Sequence, residues 1–73
     1  MTDKDLLKEK IKSAGVTITF LAEKLGCTRN RVYSILEGND CTAREIVTIT
    51  EALHLSKEER DSIFLSEKVI INH

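Results

Sequence analysis

The chain has 73 residues, 41% hydrophobic and 32% charged, with a formal net charge of −1. That length leaves room for one small domain around one core, and this composition excludes an intrinsically disordered chain and a bilayer-spanning one. The near-neutral sum argues against a generic polyanion binder. It conceals a gradient, however: residues 1–39 carry seven cations against five acids, and residues 40–73 four against seven. A modestly basic half would face nucleic acid and an acidic half would face away from it.

In chain order, Asp3 or Asp5 is suited to cap a first helix that runs to about Ala14, with Leu6, Leu7, Ile11 and Ala14 inward and the lysines outward. Lys4, Lys8 and Lys12 recur on one helical face and read as a solubilising stripe. Gly15, Gly26 and Gly38 each fall just past an apolar-periodic segment, and so cut the first half of the chain into three helices. Thr17 and Thr28 stand where hydroxyls cap the second and third. Leu21, Ala22 and Leu25 form the apolar stripe of the second helix; Val32, Ile35 and Leu36 form that of the third. Arg29, Asn30, Arg31, Tyr33 and Ser34 fall off the third helix's stripe, which gives it a polar, hydrogen-bonding face.

Beyond the polar turn Gly38-Asn39-Asp40, the run Thr42 to Glu45 is a capping box that opens a fourth helix. Ile46, Ile49, Ala52 and Leu53 would point inward, and the helix should end near His54, for which a structural role is expected. Ser56 to Glu59 is a second capping box, opening a fifth helix anchored by Ile63 and Phe64. The expected fold is all-α with five helices over residues 1–66, followed by a short apolar tail over 67–73. Ile63, Phe64, Val69, Ile70 and Ile71, with Leu65, are more apolar surface than one last helix easily buries. Two readings stay open: Ile63 and Phe64 close the core while the tail frays, or these residues form a homodimer seam.

Cys27 and Cys41 have no close partner, and Cys27, Cys41, His54 and His73 lack the paired spacing of a zinc site. Free thiols, no metal and no cofactor are therefore expected. Met1 to Asp5 has no charged-then-apolar leader pattern, which predicts a cytoplasmic protein. No nucleophile elbow, phosphate loop or metal motif organises the serines, histidines and carboxylates, so neither an enzyme nor a small-molecule substrate is expected.

The run from Leu21 to Ile35, LAEKLGCTRNRVYSI, resembles the LAxxLGVSxxxIxxI pattern of the lambda repressor and Cro (XRE-type) helix-turn-helix family, and similarity extends over most of residues 6–56. Its physical logic stands independently: Ala22 is small where two helices cross, Gly26 makes the turn, and Val32 and Ile35 dock the second helix of the pair. The resemblance implies a lambda-repressor-like domain that binds duplex DNA in a sequence-specific way, with the third helix in the major groove. It assigns base reading to Arg29, Asn30 and Ser34. Contacts to the DNA backbone fall to Thr17, Thr19, Lys24, Thr28, Arg31, Tyr33 and Asn39. The short chain is most similar to phage or prophage Cro-like repressors, which implies a transcriptional repressor bound as a homodimer to a palindromic operator, with half-sites about 34 Å apart.

Three positions depart from the family pattern. Ile18 stands where a phosphate-contacting glutamine is frequent, Cys27 replaces the turn valine, and Leu36 replaces a frequent glutamate. The first places more weight on Thr17, Thr19 and a second subunit. A protein-interaction module, such as an antitoxin or anti-repressor that kept the fold while its acidic C-terminal half binds a protein, is the competing expectation, supported by Ile18 and the net charge of −1.

Overall fold

The structure, a computed structural model, describes residues 2–65, which form five α-helices and no strand. These are α1 (Lys4–Ala14), α2 (Ile18–Leu25), α3 (Arg29–Leu36), α4 (Ala43–Leu53) and α5 (Lys57–Phe64). All five begin as the sequence dictates, on a short polar side chain that accepts from a backbone N–H of the first turn. Asp3 caps α1 by accepting from Leu6 N at 3.1 Å, while Asp5 sits inside the first turn, where its charge favours the positive end of the helix dipole. Thr17, Thr28, Thr42 and Ser56 cap the other four, and the last two form reciprocal capping boxes with Glu45 and Glu59.

The turn between α2 and α3 depends on Gly26, whose φ of 68° lies in the left-handed region that costs a residue with a Cβ about 1–2 kcal/mol. From there its N–H closes onto the carbonyls of Ala22 and Glu23, ending α2 and leaving two residues before α3 starts. His54 performs the corresponding task at the end of α4 with a φ of 55°, the one non-glycine residue at positive φ among those described.

The core consists of Leu7, Leu21, Ala22, Leu25, Val32, Ile35, Ile49, Leu53, Ile63 and Phe64, at least one from each helix. α2 packs against both α3 and α4, α1 lies across α3 and α4, and α5 closes the far side against α1 and α4. Ala14, expected inward, is exposed: it is the last residue of α1, where the chain turns away through Gly15. Lys10 departs from the outward set of lysines, since its ammonium pairs with Glu59 and ties α1 to the first turn of α5.

Ile63 and Phe64 settle one open expectation. They are 0% and 5% exposed and belong to the chain's own core, so they are not available to a dimer seam; their burial by α1 and α4 is what α5 contributes to the domain. Val69, Ile70 and Ile71, the other expected seam residues, lie outside the described residues, as does the 67–73 tail.

Candidate nucleic-acid interface

The α2–α3 unit presents the candidate residues on a scaffold fixed from beneath. Val32 and Ile35 are 3% and 1% exposed and seat α3 on the core, opposite Leu21, Ala22 and Leu25 of α2. With that apolar stripe turned inward, helical periodicity leaves the first-turn residues Arg29 and Asn30 on the outside. Among the described residues neither side chain makes a hydrogen bond or ion pair, so their donors are available to an external partner.

Thr17 and Thr28 both accept from backbone N–H groups, of Phe20 at 3.0 Å and Arg31 at 3.2 Å. An N-cap hydroxyl used in this way keeps its own hydrogen to donate, the polarity a phosphate oxygen requires. Thr19 is exposed on α2. Lys24 reaches back along α2 to place its ammonium 5.4 Å from the centroid of the Phe20 ring, a partial restraint on a long cation. Tyr33 is half exposed; among the described residues it is one of two large hydrophobic side chains left so open, the other being Val47 on α4.

Two residues of the expected backbone set, Arg31 and Asn39, have partners within the domain. Arg31 turns into the domain: its Nε donates to Glu45 Oε2 at 2.9 Å, and its Nη2 donates to Glu45 Oε1 at 2.8 Å and to the Asp40 carbonyl at 3.1 Å. A two-pronged guanidinium–carboxylate pair holds a fixed plane, and this one bolts α3 to the start of α4. Glu45 Oε1 also accepts from Thr42 N at 2.9 Å, so one carboxylate serves the ion pair and the capping box together. The Arg31 guanidinium, helped by the Thr42 N–H, holds the Glu45 carboxyl down at about 2 against the upward push of its partial burial.

Asn39 is the second residue engaged in this way. Its amide nitrogen donates to the Ser34 carbonyl at 3.0 Å and to Ser34 Oγ at 2.9 Å, which occupies the donors a phosphate would need. Ser34 is half-buried on α3 with its hydroxyl bonded to Asn39. Neither the Arg31–Glu45 pair nor the Asn39–Ser34 pair was legible from periodicity. The first spans fourteen positions and exists only once α4 folds back beside α3. The second needs the particular turn taken after Gly38.

Cys27 and Cys41 are both free and half-buried, and burial pushes the Cys41 thiol up, away from the reactive thiolate. Among the described residues no group of three or more His, Cys, Asp or Glu side chains could hold a metal ion, and no helix is long and apolar enough to cross a membrane. An open cleft of about 420 Å³ between α2 and α4 is lined by Phe20, Lys24, Thr48, Glu51, Ala52 and His54. Compared with family models, curated proteins and solved structures, the chain finds no significant match.

Proposed function

We propose that this chain is a sequence-specific duplex-DNA-binding protein that reads the major groove with the first turn of α3. More narrowly, we read it as a small transcriptional repressor of the lambda repressor and Cro kind. The observation that carries this reading is the pairing of a rigidly seated α3 with two exposed, intramolecularly unengaged side chains, Arg29 and Asn30, at its N-terminal turn. Arginine can donate twice to guanine O6 and N7, and asparagine can both donate to and accept from adenine at N6 and N7, so these two types suit base edges. Thr17, Thr19, Thr28, Lys24 and Tyr33 surround them with groups suited to phosphates and groove walls.

The backbone grip is light, with Lys24 as the cation of the expected backbone set once Arg31 is paired to Glu45. A light grip suits binding as two copies on a repeated half-site, each copy supplying part of the affinity. Selection of bound fragments from random duplex DNA tests the proposal. One enriched motif, with its half-site spacing near one helical turn, is the expected result. Fragments bound without any enriched sequence would overturn direct readout, and no binding even at low salt, with a stoichiometric protein recovered instead, would favour an interaction module.

A further inference from the structure

We infer that Arg31 is a positioning residue of the reading helix: its grip on Glu45 fixes the roll of α3 about its own axis, and so fixes where Arg29 and Asn30 meet the bases. This rests on α3 being the groove-reading helix. The need for such a grip lies in how α3 is seated. Among the described residues α3 packs on α1 and α2 and not on α4, and its buried anchors are Val32 and Ile35. Apolar burial is non-directional, so two anchors on one stripe set the depth of a helix far better than its roll. A roll of about 20° would move a side chain on the helix surface by roughly 2 Å, whereas a binding constellation works within about 0.5 Å.

Arg31 supplies the missing direction. Successive residues lie about 100° apart round a helix, which puts Arg31 on one flank of α3, Arg29 near the other and Asn30 between them on the outside. Arg31 Nε and Nη2 donate to the two oxygens of Glu45 at 2.9 and 2.8 Å, and Nη2 donates again to the Asp40 carbonyl at 3.1 Å. A planar fork on a planar carboxylate is directional in the way an apolar seat is not.

Glu45 does not swing to accommodate a roll. Its Oε1 accepts from Thr42 N at 2.9 Å while its own N–H donates to Thr42 Oγ1 at 3.1 Å. The capping box thus locks this carboxylate to the first turn of α4, which Ile49 and Leu53 anchor in the core. The roll of α3 is thereby referred to a helix that α3 does not pack against. With Nε and Nη2 committed in this way, Arg31 orients the reading turn and does not grip phosphate.

The test uses the full chain, with an enriched and a scrambled duplex, and compares wild type with Arg31→Lys, Arg31→Met, Glu45→Gln and the Arg31→Met/Glu45→Gln double variant. Affinities are measured below the melting temperature of every variant and over a series of salt concentrations. Lysine keeps the charge and loses the fork, and glutamine offers one acceptor where Arg31 engages two. Each single variant should therefore lower the ratio of specific to scrambled affinity by roughly tenfold, the size of one modest two-bonded base contact. The double variant should lose no more than either single one, because the clamp is already open. The slope of log affinity against log salt should stay at its wild-type value in Arg31→Met.

A wild-type ratio in Arg31→Lys, together with a slope flattened by about one in Arg31→Met, would make Arg31 a phosphate contact and overturn the inference. Variants that melt lower but keep the wild-type ratio while folded would leave the pair a purely structural role, which also overturns it. So would losses that add in the double variant. If Arg31→Met does not fold at the assay temperature, Arg31→Lys and Glu45→Gln decide the ratio between them. If the wild-type chain itself shows no preference between duplexes, the groove-reading proposal fails first and takes this inference with it.

Discussion

Replacing Glu45 by Gln keeps the side chain's shape and much of its ability to close the capping box, and removes the charge that faces Arg31. Lowering a carboxyl from its ordinary 4.5 to about 2 corresponds to about 3 kcal/mol if the interaction is fully expressed in the folded state. The Arg31 and Glu45 side chains keep 33% and 17% of their surface in water, and screening at that exposure brings the expected contribution to roughly 1–2 kcal/mol. For a domain of this size the loss translates into a melting temperature lower by roughly 5–10 °C at pH 7.

The pH dependence follows from the direction of the shift. A carboxyl whose folded value lies below its unfolded value stabilises the fold fully above about pH 4.5, and loses that contribution as pH falls towards about 2. Denaturant titrations of wild type and Glu45→Gln should therefore differ at pH 7 and converge across that interval. An undiminished difference at pH 2.5 would refute the reasoning, because the unfolded carboxyl is protonated there and most of the contribution of the shift should already be lost.

Three further outcomes follow from the same structure. His54→Gly should stabilise the domain by up to about 1 kcal/mol in equilibrium unfolding, since glycine occupies the left-handed φ of 55° without a Cβ penalty. Ile63→Ala should destabilise it by about 2–5 kcal/mol in the same assay, through a cavity at a side chain that is 0% exposed; an effect confined to oligomeric state would contradict its place in the core. Lys24→Ala should weaken binding to specific and random duplexes alike and flatten the slope of log affinity against log salt by about one, because a phosphate contact carries no sequence information.

The local grammar of this fold was open to reading because it is written in near neighbours. Each helix cap lies within three residues of the N–H it serves, and Gly26 stands directly between two stripes of matching period. His54 shows where that grammar loosens, since nothing in its side chain announces a left-handed backbone, although the end of α4 there was foreseen from the apolar pattern. Arg31 shows where it stops. On the third helix alone its guanidinium is one more exposed cation, and only the return of α4 supplies Glu45 and turns it inward. Asn39 likewise changes from a free polar loop residue to the partner of Ser34 once the turn after Gly38 is in place. Side chains whose partners lie across the tertiary structure are thus the ones whose contacts within the domain the sequence alone does not show, and both sit at the edge of the candidate interface.

The central claim is that the first turn of α3 reads bases. The direct measurement is the affinity ratio between an enriched duplex and a scrambled one at fixed salt, for wild type, Arg29→Ala and Asn30→Ala. If each residue makes a two-bonded base contact worth about 1–3 kcal/mol, each variant should lower the ratio by roughly 5- to 150-fold while binding to the scrambled duplex changes much less. Equal losses on both duplexes, leaving the ratio intact, would contradict base reading by this turn.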